Sequence, residues 1–166
     1  MYYSLFKKGT WHLLLVGTEK GLSHIQYLQS QDLRPFLERY KIRYNTDIVG
    51  NPDLFRPWQK EFDRYFEGEY TDLKVPLDIK TGTLFQKKVW SALRSIPYGR
   101  TMTYGQLART IEHPKAFRAV GNANGANPLP IVLPCHRVIA GGGNLGGYSS
   151  GPDIKRALLR LEGIFV

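Results

Sequence analysis

The chain has 166 residues, 42% of them hydrophobic and 22% charged, with a formal net charge of +9 and one cysteine. This is enough chain for one good core or two small ones in a soluble globular protein, and it excludes a domain array, a disordered tail and a disulfide-stapled scaffold. The longest apolar run, Leu13-Leu14-Leu15-Val16, is too short to span a bilayer, and the opening Met1 to Lys8 lacks the order of a secretory signal, so a reducing cytoplasm is expected.

The charge is unevenly placed. Residues 1–80 carry 12 Lys and Arg against 11 Asp and Glu, a net of +1, whereas residues 81–166 carry 11 against 3, a net of +8. Acids this scarce leave a field of one sign, which points to a polyanionic partner, most simply the phosphates of nucleic acid. The alternative is a basic surface kept for solubility.

In chain order, Met1–Lys8, Trp11–Gly17 and Leu22–Leu28 alternate and are rich in β-branched and aromatic types. Lys8-Gly9-Thr10 and Glu19-Lys20-Gly21 punctuate them, as in an antiparallel meander. Helical periodicity follows over Asp32–Tyr40 and over Leu54–Phe66, where Leu54, Trp58, Phe62, Tyr65 and Phe66 share a face and Gly68 ends the helix. A further strand over Lys74–Ile79 would close a small α+β unit.

Thr83-Leu84-Phe85-Gln86 is a capping-box pattern, and Phe85, Val89, Trp90 and Leu93 form the stripe behind it. Thr103-Tyr104-Gly105-Gln106 repeats the pattern and opens a short helix through Leu107, Ala108 and Ile111. A second short helix runs from about Lys115 to Asn124. Two short helices across a tight turn in a basic region read as a helix-turn-helix. The last helix starts near Pro152, runs from Asp153 to Glu162 and stops at Gly163.

The lone thiol, Cys135, sits in Leu133-Pro134-Cys135-His136-Arg137-Val138. A free cysteine is by default a small buried hydrophobe. Here Pro134 holds the backbone out of regular structure, and His136, Arg137 and the basic half are expected to pull the thiol below its free pKa of about 8.5. On an extended segment neighbouring side chains point apart, so proton transfer from Cys135 to His136 is expected to run through a water. A base needs an orienting partner, and of the three acids in this half, Glu112, Asp153 and Glu162, the last is at a helix end able to pack back on the active segment.

Gly141 to Gly146 fits the dinucleotide pattern G-x-G-x-x-G, but Gly147-Tyr148-Ser149-Ser150-Gly151-Pro152 follows where the phosphate-binding helix must begin. A mobile loop is the better reading, with Tyr148 and Ser149 available to a flat heterocycle if it folds over the thiol. Arg118, by default a surface arginine, would on a DNA-docked helix touch phosphate or wedge into the base stack. Asn127 before Pro128 is by default a turn residue.

Pro134-Cys135-His136-Arg137-Val138 resembles the active-site signature of the O6-alkylguanine-DNA alkyltransferases, the methylated-DNA-protein-cysteine methyltransferases. The resemblance extends through Pro97-Tyr98-Gly99, Thr103 to Ala108, Arg118-Ala119-Val120-Gly121, Asn127-Pro128, Tyr148-Ser149 and Leu161-Glu162-Gly163, spanning residues 83–163. It implies an α+β protein of two domains, a ribonuclease-H-like α/β domain over 1–80 and a helical domain with a helix-turn-helix over 81–166. It implies that Cys135 accepts the alkyl group, His136 deprotonates it through a water, Glu162 orients the imidazole and Asn127 holds the active segment.

Arg118 would replace the extruded nucleotide, with Ala119 and Gly125 on the DNA-facing helix. Tyr104 and Ser149 would donate to the flipped guanine, Tyr148 would line the pocket, and the carbonyls of Cys135 and Val138 would accept its exocyclic amine. The implied partner is double-stranded DNA carrying O6-alkylguanine, met by a monomer that needs no cofactor and no metal. The second helix ends Ala123-Asn124-Gly125-Ala126, without the basic residue many relatives carry. The front holds no cysteine-rich metal domain, so the roles of fused relatives are not implied. A lesion sensor, a transcription factor and a thiol hydrolase are the competing readings; relatives that only sense replace the cysteine, and the other two leave the Cys-His motif or the basic half unexplained.

Overall fold

In the computed structural model, which describes residues 1–29, 32–69 and 72–166, the run Leu13-Leu14-Leu15-Val16 forms the middle of a central strand with all four side chains fully buried. Four consecutive apolar residues suit a strand covered on both faces. Strands β1 (Tyr2–Lys8), β2 (Trp11–Thr18) and β3 (Gly21–Tyr27) form the expected antiparallel meander, and β4 (Val49–Gly50) adds in parallel to β1, in the order β3-β2-β1-β4.

Register decides what each face meets. Leu5 pairs with Leu14 and Phe6 with Leu13, so Tyr3, Leu14 and Val16 lie on one face and Ser4, Phe6, Leu13 and Leu15 on the other. Helix α1 (Arg34–Tyr44) covers the first, where Phe36, Leu37, Tyr40 and Tyr44 pack on Leu14 and Val16. Helix α2 (Pro52–Phe66) covers the second: the Phe62 ring is 5.6 Å from Phe6, and Gln59 donates to the Ser4 hydroxyl and the Leu5 carbonyl. Gly17 sits at a β-bulge where a Cβ would meet the Gly21 carbonyl oxygen at 2.6 Å, so only glycine fits.

Three details of this first part of the chain depart from the expectations. Helix α1 begins at Arg34, because the Asp32 carboxylate accepts the Arg34 amide and guanidinium ahead of the first turn. Phe55, fully buried, widens the apolar stripe of α2 beyond the residues its periodicity names. The strand expected over Lys74–Ile79 does not form: only Leu77 bridges Leu22, flanked by Leu22 N–H to Pro76 O at 2.8 Å and Asp78 N–H to Leu22 O at 2.7 Å. Pro76 has no N–H with which to extend a ladder.

The chain forms two compact units, Met1–Asp63 with Lys74–Lys80, and Arg64–Leu73 with Thr81–Val166. In the second, helix α3 (Leu84–Leu93) and helix α4 (Tyr104–Thr110) open on the expected capping boxes, with Thr83 and Thr103 each accepting the amide of the glutamine three residues on. Helix α5 (Phe117–Gly125) begins two residues later than its pattern indicates. Trp90 of α3 donates to the Ala123 carbonyl at 2.7 Å, tying α3 to α5.

A two-residue parallel pair, β5 (Met102–Thr103) with β6 (Val138–Ile139), sets the segment after Cys135 beside the start of α4. Helix α6 (Pro152–Leu161) ends with Glu162 as its C-cap and Gly163 at φ 77°. Among the described residues no helix is long and apolar enough to cross a membrane.

Candidate active site

The segment before the thiol is closed on itself. Asn127 donates to the Leu133 carbonyl at 2.7 Å and accepts the Leu129 amide at 2.9 Å, while Ile131 between them has φ 76°, a strained value for a β-branched residue. Asn124 of α5 donates to the Cys135 carbonyl at 3.3 Å. Cys135, His136 and Arg137 then form one turn of 3-10 helix, not the extended backbone expected from the sequence. The adjacent side chains therefore do not alternate across a strand.

Cys135 is buried, with Sγ 3.9 Å from the Tyr148 hydroxyl. Burial pushes its thiol up, against the opposing pull of hydrogen bonds from Asn127 and Tyr148 and the charge of Lys155. The expected depression by His136 and Arg137 is thus corrected. Arg137 points elsewhere: its guanidinium grips Glu162 at 2.9 and 3.1 Å, Asp72 at 3.0 Å and the Ile96 carbonyl at 2.7 Å.

His136 is fully buried, and its Nε2 lies 2.7 Å from Oε1 of Glu162. Burial lowers the imidazole pKa, outweighing the hydrogen bond and charge of Glu162, which raise it. Burial alone would raise the Glu162 carboxyl; the hydrogen bonds from His136 and Arg137 and the charge of Arg137 overcome it and hold the group at about 2. A carboxylate only accepts, so neutral His136 carries its proton on Nε2 and its lone pair on Nδ1. That nitrogen is buried and, among the described residues, has no hydrogen-bond partner. The group is a neutral base backed by an anion.

Around the thiol, Tyr104 donates to the Gly147 carbonyl at 3.3 Å, and Ser149 is exposed on the same loop. Lys155 of α6, fully buried, donates to the carbonyls of Val138 at 2.6 Å and Gly147 at 3.2 Å and lies 6.0 Å from the Tyr104 ring centroid. Burial pulls it down to about 8. The carbonyls of Val138 and Cys135, expected to accept a base's amine, thus already accept from Lys155 and Asn124.

On α5, Arg118, Ala119 and Gly125 are exposed opposite buried Val120, Ala123 and Asn124, and the Arg118 guanidinium lies 5.9 Å from the Phe117 ring centroid. The structure thus draws Cys135, His136, Glu162, Asn127, Tyr104, Tyr148 and Val138 into one neighbourhood and sets Arg118, Ala119 and Gly125 on a separate exposed face.

Tyr65 and Gly99 also donate to Glu162, so four participants carry no assigned role in the sequence. Lys155 reads as one more cation on an amphipathic helix, Tyr65 as one more aromatic in a core stripe, Asn124 as the end of a helix and Gly99 as a turn glycine. Only Pro97-Tyr98-Gly99 carried any signal, as a motif without an assigned task. Among the described residues no group of three or more His, Cys, Asp or Glu side chains is arranged to hold a metal ion.

A buried thiol beside a neutral imidazole that is held by a buried carboxylate is the arrangement of a cysteine-nucleophile protein. Comparison with known proteins narrows the class. Residues 1–79 match the family model of the 6-O-methylguanine DNA methyltransferase ribonuclease-like domain, and residues 84–164 that of its DNA binding domain.

A methylated-DNA–protein-cysteine methyltransferase of Methanosarcina acetivorans is 45% identical over 98% of this chain and 99% of its own length; an inducible one of Bacillus subtilis is 39% identical over 98% and 90%. The crystal structure of Mycobacterium tuberculosis OGT in complex with DNA superposes with a TM-score of 0.83 at 40% identity, covering 98% of this chain and 92% of that one. The chain belongs to the 6-O-methylguanine DNA methyltransferase family.

Proposed function

We propose that the protein repairs DNA by direct reversal, moving the alkyl group of O6-alkylguanine in double-stranded DNA irreversibly onto its own Cys135. The observation that carries this reading is the buried Cys135, His136 and Glu162 array within a chain whose family is that of the alkyl-accepting methyltransferases. His136 takes the thiol proton through a water as sulfur attacks the alkyl carbon and the carbon–O6 bond breaks, and the electron pair of that bond leaves on the guanine. Hydroxyl donors opposite O6, assigned to Tyr104 and Ser149, stabilise the leaving base. The product is a thioether with no route back to thiol, so each molecule acts once.

With Cys135 only 3% exposed, a base still stacked in a duplex cannot reach its thiol. The nucleotide must leave the helix, at a cost of a few kcal/mol. In this reading α4 and α5 are the helix-turn-helix of a DNA-binding domain over residues 81–166, with Arg118 filling the gap and Ala119 and Gly125 lying against the backbone. Residues 1–80 form a ribonuclease-H-like α/β domain. Tyr148 lines the pocket, Asn127 holds the loop that presents Cys135, and Val138 borders the base. The protein acts as a monomer in the cytoplasm, where DNA is at hand and Cys135 stays reduced.

The test weighs the peptide carrying Cys135 after incubation with duplex DNA containing O6-methylguanine. A stoichiometric gain of one methyl, absent from Cys135→Ser, is the expected result. Binding without a mass change would instead identify a lesion sensor, and turnover of an ester by unmodified protein a hydrolase.

A further inference from the structure

Glu162 is held by more than its histidine. Its Oε2 accepts from Arg137 Nε at 2.9 Å and the Gly99 amide at 3.3 Å, while Oε1 accepts from His136 Nε2 at 2.7 Å, Arg137 Nη2 at 3.1 Å and the Tyr65 hydroxyl at 2.6 Å. Tyr65 is fully buried in the last turn of α2, its ring edge-on to Tyr98 at 6.0 Å, and its hydroxyl lies 3.4 Å from His136 Nε2. It falls outside residues 84–164, the span matched by the DNA-binding family model, yet packs within the second unit.

We propose that Tyr65 is a positioning residue for alkyl transfer: its hydroxyl fixes the Glu162 carboxylate toward His136 and moderates the basicity of that imidazole. The inference rests on the reading that His136 takes the Cys135 proton. The physics is a competition for one oxygen. Each donor on Oε1 draws off negative charge, so the phenol weakens the hold of Glu162 on the Nε2 proton and on the imidazolium formed when the thiol ionises. The same short bond stops the carboxylate from turning. The other charged or titratable groups facing the imidazole are Arg137 beside it and Lys155 of α6, both of which disfavour its cation, and Glu162 itself.

Deleting only the oxygen, in Tyr65→Phe, removes one donor and leaves the ring. His136 then becomes more basic, and the acid limb of the methyl-transfer rate against pH moves up by roughly half a unit. The limiting single-turnover rate falls about tenfold as the carboxylate loses its orientation. A 3-fluorotyrosine at position 65, a better donor of nearly the same shape, moves the limb the other way. NMR titration of His136 in the DNA-free protein reads the same two shifts without any transfer.

A Tyr65→Phe protein that melts lower but keeps the wild-type limb, His136 titration and rate per folded molecule would overturn the inference and leave Tyr65 a packing residue. A wild type whose Cys135 gains no methyl overturns the reading beneath it, and the inference falls with it.

Discussion

Burial disfavours the charged form of all three groups of the array: it keeps the Cys135 thiol protonated and the His136 imidazole neutral, whereas Glu162 stays ionised because His136 and Arg137 outweigh the same effect. A nucleophile that works once gains from this, since a resting thiol is spared stray electrophiles until a base takes its proton. With a folded pKa of about 2 against an ordinary 4.5, Glu162 adds stability that is fully present above pH 4.5 and lost as pH falls from 4.5 toward 2. The loss amounts to about 3 kcal/mol. Urea unfolding at pH 5 and pH 3 reads the larger part of it, about 2 kcal/mol, and Glu162→Gln is expected to lack that slope while being less stable at pH 7.

Lys155 is the cation whose charge lowers the thiol. In Lys155→Met the pH midpoint for alkylation of Cys135 by iodoacetamide is expected to rise, and an unchanged midpoint would remove Lys155 from the electrostatics of the site.

Among the elements, those started by local chemistry were legible in the sequence. Thr83 and Thr103 cap α3 and α4 through contacts spanning three residues, which a linear pattern encodes in full. Thr103→Ala is expected to cost about 1 kcal/mol in thermal unfolding. It also loosens the start of α4, where Tyr104 sits, so slower methyl transfer is expected alongside the lower melting temperature.

Elements that depend on distant partners were not legible. The stretch 74–79 has the composition of a strand, but what it makes of that is one bridge to Leu22, set by where Pro76 falls. The backbone at Cys135 is a 3-10 turn because Asn124 and Asn127 gather its carbonyls, a condition that no periodicity records.

For the whole molecule, charge carries the prediction. Of the eleven cations in residues 81–166, Arg137 and Lys155 are buried and the rest are at least partly exposed, against three acids of which Glu162 is buried. A surface of this sign exchanges counterions for phosphates, so duplex affinity should fall roughly a hundredfold between 50 and 200 mM salt if about four phosphates are neutralised. Fluorescence anisotropy on an unmodified duplex measures the slope. Arg118→Ala, if it fills the extruded nucleotide's place, is expected to slow methyl transfer in a duplex far more than it flattens this slope.

By itself, then, the sequence determined the meander, the capped helices, the basic half and the Pro134-Cys135-His136-Arg137-Val138 motif. Each of these is written in local spacing, in composition or in a motif short enough to read along the line. Tertiary structure alone decided the protonation states and the wiring: that Arg137 serves Glu162 rather than the thiol, that Lys155 lies buried under the loop carbonyls, and that Tyr65, 97 residues away, donates to Glu162. The reason is physical. Desolvation and hydrogen bonding depend on which groups exclude water from one another, and that is fixed only when the chain has packed.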